Sequence, residues 1–135
     1  MITFTSNFLA VQAALESRIN RNVERACQHL TNQVKKTLTG QRSGRLYRVA
    51  GTVTGQRYQA SAPGEPPAVR TGRLRNDIKY VVFHTGGLNV RGLVGSTLTY
   101  AAPLEMGTSR IRPRPFLRVT YERERRRMLQ IIQGG

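Results

Sequence analysis

Apolar residues recur at Phe8, Val11, Leu15, Ile19, Val23, Ala26, Leu30, Val34 and Leu38, inside a stretch free of proline and glycine. Steps of three and four residues predict one helix over residues 6–39. Ser6 or Asn7 is suited to cap its start, and Gly40 stands where a left-handed residue would end it. Most of the steps are four residues, longer than the 3.6-residue turn, so the stripe drifts by roughly half a turn along the helix. One flat partner cannot cover it. Either its two halves face different neighbours, one of them in another subunit, or the helix curves over its own core.

After Gly40 the period shortens. Leu46 to Ala50 and Arg57 to Ala60 alternate apolar with polar residues around Gly51 and Gly55, which predicts a hairpin or an extended arm over 41–67. The segment Ser61-Ala62-Pro63-Gly64-Glu65-Pro66-Pro67 excludes helix and central strand, because its prolines remove donors and fix φ. It reads as a semi-rigid loop, a surface connection or a strap on a neighbour. Residues 71–78 read as a short helix capped by Thr71, with Leu74 and Ile78 one turn apart and Arg73 and Arg75 pointing elsewhere. Lys79 to His84, the turn Thr85-Gly86-Gly87 and the alternation from Leu88 to Ser96 predict an antiparallel hairpin.

The stretch from Tyr100 to Leu117 combines several signals. Residues 99–106 can form one or two helical turns that bury Tyr100, Leu104 and Met106, with Pro103 in the first turn and Gly107 as the exit. A loop with Arg110, Arg112 and Arg114 follows, and Pro115 suits the first position of a last helix over 115–133, anchored by Phe116 and Leu117. That helix carries Glu122-Arg123-Glu124-Arg125-Arg126-Arg127 before Met128, Leu129, Ile131 and Ile132. It should be pinned at both ends and solvated, or docked on something polar, in its middle. The expected architecture is α+β in a single domain, 1–135. A long N-terminal amphipathic helix packs on a small antiparallel sheet, with short connecting helices and a basic C-terminal helix.

Composition adds a strong signal. The chain has 135 residues, enough to bury about two-thirds of its unfolded surface. Only 39% are hydrophobic, so the core is expected to be lean. Twenty-two Lys and Arg stand against 7 Asp and Glu, a formal charge of +15. Such an excess fits nucleic acid, an acidic protein surface or an anionic membrane, and solubility alone explains it less well, because acidic residues serve that end at least as well. Most of the cations are arginine, which suits bidentate contacts to phosphate or carboxylate and does not decide between DNA and protein. The first residues hold neither a basic run nor a long apolar stretch, so no secretory leader, membrane span or membrane partner is expected. The single cysteine, Cys27, fits a reducing, cytoplasm-like compartment.

Candidate chemistry is sparse. Cys27 and His29 are two apart on a helix and share no face, and no zinc spacing occurs. A nucleophilic pair would need Cys27 to meet His84 across the fold. The carboxylates Glu16, Glu24, Glu65, Asp77, Glu105, Glu122 and Glu124 include no pair in an apolar context. No phosphate-cradling glycine loop, zinc finger, heptad-backed basic region or RNA-binding aromatic signature is present. The expectation is a protein without catalytic residues, metal or cofactor. Contact with nucleic acid would be to backbone phosphates and salt-dependent.

The order Pro-Gly-Glu-Pro-Pro (63–67), Thr-Gly-Arg-Leu-Arg-Asn-Asp-Ile (71–78), Leu-Val-Gly-Ser (93–96), Tyr-Ala-Ala-Pro-Leu-Glu-Met-Gly-Thr (100–108) and Arg-Pro-Phe-Leu (114–117) resembles the tailed-bacteriophage minor tail component family. These are the tail-completion or head-to-tail joining proteins of long-tailed phages. The resemblance spans about residues 61–118 and departs at Met106, where an aromatic is expected, and at Asp77, where a small hydroxyl residue is commoner. It implies a non-enzymatic virion protein, assembled in the host cytoplasm and forming a six-fold ring at the neck. Its neighbours would be connector or stopper proteins on one side and tail-terminator or tail-tube proteins on the other. Under that reading Arg73, Arg75, Glu105, Gly107, Arg110, Arg112, Arg114, Pro115, Phe116, Arg123, Arg125, Arg126 and Arg127 form the candidate oligomer or partner interface, facing viral DNA or adjacent rings. The alternative is a small basic module that contacts nucleic-acid phosphates. Rings seen by native mass spectrometry separate the two.

Overall fold

A computed structural model of the chain describes residues 8–51, 53, 55–69 and 71–134. The architecture is mixed α+β. It comprises α1 (Phe8–Thr39), β1 (Leu46–Arg48), β2 (Arg57–Gln59), α2 (Arg73–Asp77), β3 (Lys79–Gly86), β4 (Asn89–Gly95), α3 (Ala101–Met106) and α4 (Leu117–Ile132). Two separate two-stranded antiparallel sheets, β1-β2 and β3-β4, take the place of the single sheet expected.

The long helix is the spine. The β3-β4 hairpin and α4 both pack on it. Its apolar stripe divides into two halves. Ala26, Leu30, Val34 and Leu38 are buried, whereas Phe8, Val11 and Leu15 are exposed. Among the described residues, the chain's own core covers only the second half of the stripe. The expected cap at Ser6 or Asn7 lies outside the described residues. At the other end Gly40 does not adopt the left-handed conformation foreseen for it. The guanidinium of Arg42 makes that unnecessary by donating to the Thr37 carbonyl at 2.6 Å and to the Pro67 carbonyl at 3.1 Å, so one orphan carbonyl is satisfied by a side chain.

The core gathers Leu30, Val34 and Leu38 of α1 with Ile78, Ala101 and Phe116. Leu74, Val94, Leu98, Leu104, Leu117 and Met128 close around them. Gly92 lets β4 approach α1 this closely: a Cβ there would lie 2.2 Å from Cys27 Sγ and 3.2 Å from Val23 Cγ1. The hairpin is in register from Lys79 opposite Gly95 to His84 opposite Val90, with an irregularity between His84 and Gly86.

Strands β1 and β2 pair as an antiparallel ribbon. Leu46, Tyr47 and Arg48 pair with Gln59, Tyr58 and Arg57, and Val49 N–H donates to the Gln56 carbonyl at 2.8 Å. The proline-rich loop behind it lies on this chain's own loop 107–114. Gly64 N–H donates to the Pro113 carbonyl at 3.4 Å, and Arg114 donates to the Ser61 carbonyl at 2.8 Å.

Helix α4 runs antiparallel to α1, since the residues it meets rise in number as those of α1 fall. Thr37 Oγ1 lies 2.9 Å from Thr120 Oγ1, His29 Nε2 lies 2.8 Å from a Glu124 oxygen, and Asn22 Nδ2 donates to the Ile132 carbonyl at 3.1 Å. The middle of α4 is therefore not merely solvated. Thr120 is fully buried and Glu124 and Met128 are half-buried, which places a mixed polar and apolar stripe against α1. A search for an apolar stripe passes over it because two of its positions are polar.

Candidate functional site

The segment 99–118 is a rigid elbow, and Glu105 is its keystone. Its carboxylate accepts hydrogen bonds from the backbone N–H groups of Phe116 at 2.8 Å, Leu117 at 3.0 Å and Arg118 at 2.8 Å. These are orphan donors at the start of α4, and a carboxylate there also opposes the positive end of the helix dipole. With the cap supplied from α3, the helix begins at Leu117 with Phe116 as its capping residue, so Pro115 stands just outside it and not at the first helical position. Phe116 itself is 0% exposed.

Gly107 ends α3 with φ +76°, a conformation that favours glycine. A Cβ there would meet the Pro113 ring at 2.8 Å and the Ile111 carbonyl oxygen at 2.9 Å. The helix itself buries Ala101 and partly Leu104. Tyr100 and Met106, expected in the core, are exposed. Ala101 and Leu104 are three residues apart and share the inward face, and the two larger side chains fall off it.

The candidate arginines do not form one surface. Arg114 turns inward to Ser61, donating to its carbonyl and its hydroxyl, while Arg110 and Arg112 are exposed on the loop. Arg73 is exposed and Arg75 half-buried beside a cavity of about 150 Å³ that Leu38, Leu74, Tyr100 and Leu104 also line. The N-terminal residue of α2 is capped by Gly72, φ +75°, and Thr71 Oγ1 accepts only a long 3.5 Å bond from Arg73 N–H. On α4, Arg123 donates to Thr37 at 3.2 Å and pairs with Glu124 at 3.1 Å, and Arg127 reaches Gln130 at 3.4 Å. Arg125 and Arg126 are exposed.

Several of the few carboxylates are occupied with architecture. Asp77 accepts from Ser96 Oγ at 2.6 Å and Thr97 N–H at 2.7 Å, fastening the end of α2 to the strand exit. Those bonds, with Lys79 nearby, hold its carboxyl far below the ordinary range. Glu65 accepts from Ser43 Oγ and N–H and from Ala62 N–H, and the Ser43 hydroxyl above all holds its carboxyl down to about 2. The hydrogen bond from His29 lowers Glu124. Among the described lysines and arginines only Lys79 and Arg123 stand in ion pairs with carboxylates, so most of the positive charge faces outward unneutralised.

Cys27 is buried, and desolvation, reinforced by Glu24, pushes its thiol up, away from the reactive thiolate. Among the described residues no group of three or more His, Cys, Asp or Glu gathers as metal ligands. No helix of the described chain is long and apolar enough to cross a membrane. Sequence reasoning missed Asp77, Glu65 and the His29–Glu124 pair as ties, and it missed Arg45, Arg48 and Arg57 on the first hairpin. One signal for the hairpin was legible: no carboxylate stands between Glu24 and Glu65.

Compared with known proteins, the chain matches no family model, no curated protein and no solved structure.

Proposed function

We propose that this chain is a structural subunit of a phage neck, without catalytic activity, that closes into a homo-oligomeric ring, six-fold by the family resemblance, and joins head to tail while leaving a passage for DNA. The observation that carries the reading is the uncovered start of α1. Phe8 is 69% exposed, Leu9 80% and Val11 57%, and buried positions begin only at Asn22. At 1.5 Å per residue this overhang is about 20 Å long. An apolar patch of this kind on a folded chain marks an interaction site.

Its occupant is a second copy of the chain. Residues 8–15, Phe-Leu-Ala-Val-Gln-Ala-Ala-Leu, carry no charge in a molecule of net charge +15. Two copies that repel almost everywhere else can meet there, and a head-to-tail contact repeated by rotation closes a ring. The Glu105-capped elbow supports the same reading, because a rigid joint holds α3 and α4 in fixed relation, as a ring subunit requires. Arg73, Arg75, Arg110, Arg112, Arg125 and Arg126 would then face acidic surfaces of connector and tail proteins above and below. The virion is the site of action, and the host cytoplasm the site of assembly.

Native mass spectrometry and negative-stain imaging test this, with the chain alone and mixed with connector or tail-tube proteins. Rings, hexameric or larger, are expected. Monomers under every condition, binding DNA tightly at low salt, would overturn the reading in favour of a nucleic-acid module.

A further inference from the structure

The β1-β2 hairpin contains a like-charged pair with no counter-ion among the described residues. Arg48 stands directly opposite Arg57 in the register, on the same face as the Leu46 and Gln59 pair, two residues along. Both are exposed. Like charges opposed across a ladder destabilise it. Neither guanidinium belongs to any of the ion pairs with carboxylates among the described residues, and Arg48 instead lies over Gly55, toward the turn. The opposite face is stiffened: Tyr47 and Tyr58 stack with ring centroids 5.7 Å apart, and Arg45 lies 5.8 Å from the Tyr47 ring. A third cation thus sits on the same narrow ribbon. The ladder extends to the ribbon's base, where Gly44 N–H donates to the Ala60 carbonyl at 2.9 Å, and just below it Arg42 ties the chain to the Thr37 and Pro67 carbonyls.

We propose that this ribbon is a DNA-contacting arm, with Arg48 and Arg57 straddling a backbone phosphate of a duplex. An anion between the two guanidiniums turns their repulsion into a paired, bidentate arrangement that arginine suits better than lysine. A phosphate has acceptor oxygens to share between two forks, and duplex DNA presents such groups continuously. A two-stranded ribbon is also narrow enough to enter the major groove. The contact is to the backbone and reads no sequence. It needs only one chain, so it holds whether or not copies assemble.

The test is fluorescence anisotropy of a labelled mixed-sequence duplex over a range of salt concentrations. Wild type is compared with Arg48→Gln/Arg57→Gln and with Arg21→Gln/Arg25→Gln, which removes the same charge from an exposed stretch of α1. The ribbon double variant should bind at least about tenfold more weakly, and its slope of log K against log salt should fall by about 1 for each phosphate it no longer neutralises. Its Tm should equal or exceed that of wild type, since a repulsion has been removed. Equal weakening in the two double variants would reduce the effect to net charge and overturn the proposal, as would a fall in Tm. Absence of duplex binding by wild type, with tight ribbon-dependent binding of polyglutamate, would assign the arm to an acidic protein instead. A chain that forms rings without ribbon-dependent DNA binding loses this proposal and keeps the ring.

Discussion

Thr31 is 6% exposed, and its Oγ1 is a buried hydroxyl without a hydrogen-bond partner among the described residues. A buried polar group left unpaired costs about 1–3 kcal/mol, and replacing it with an apolar group of the same shape removes that cost. Thr31→Val is therefore expected to stabilise the chain by about 1 kcal/mol in urea unfolding. An unchanged or lower midpoint would mean that the hydroxyl has a partner. Gly92 makes the opposite case. Gly92→Ala drives a methyl toward Cys27 Sγ and should cost about 1–3 kcal/mol, the usual range for overpacking. Cys27→Ala in the same chain should recover much of the loss, and a double-mutant cycle reads the coupling directly. Glycine at 92 was visible in the sequence as part of an alternating strand. That a sulfur lies where its Cβ would be was not, because residues 27 and 92 are far apart in the chain and meet only through packing.

Beside their apolar core, several elements of this chain are joined by carboxylates. Glu105 caps α4 from α3, so Glu105→Ala should cost about 1–2 kcal/mol, as caps do, and expose the first amides of α4 to faster hydrogen exchange. Uniform loss of protection along the whole helix would refute a local capping role. Asp77, Glu65 and Glu124 have carboxyls held below their ordinary values by hydrogen bonds present only in the folded chain. A depressed carboxyl contributes stability that is fully present above its unfolded value and is lost as pH falls through the folded one. For Glu65 that window runs from the ordinary 4.5 down to about 2. Stability is therefore expected to be insensitive to these groups above pH 4.5 and to decline below it. The decline should be smaller in Asp77→Asn and Glu65→Gln, measured by denaturant midpoints across acid pH. At the same scale, the β3-β4 hairpin and the four helices of the described residues were legible from periodicity and turn residues, while β1-β2 was left open between a hairpin and an extended arm. The start of α4 was not, because Pro115 looked like a first helical residue until a carboxylate from another helix took over the cap.

On the scale of the whole molecule, the overhanging start of α1 lies outside the core and is, under the proposed function, central to the assembly. Val11→Lys/Leu15→Lys should abolish rings in native mass spectrometry while leaving the monomer's Tm within a few degrees of wild type, because both side chains are exposed. Persistence of rings in that variant would move the interface elsewhere. The lean core fits this division. Phe116, Leu38, Ile78, Val34 and Thr120 are its fully buried side chains, and four of the five lie on or beside α1 and α4, clear of the overhang.

Local periodicity, turn chemistry and composition act between near neighbours. By themselves they determined the long helix, the β3-β4 hairpin, the glycine exit of α3 and the excess of positive charge. What only tertiary structure decided is where the scarce carboxylates go. Their partners are backbone amides, hydroxyls and one imidazole, 22 residues away for Glu65 and Ser43 and 95 for Glu124 and His29, and no sequence pattern marks such donors. Seven acids, several of them engaged with amides and hydroxyls, leave most of the 22 lysines and arginines without a carboxylate partner. That converts a bulk charge of +15 into exposed faces able to hold an anionic partner.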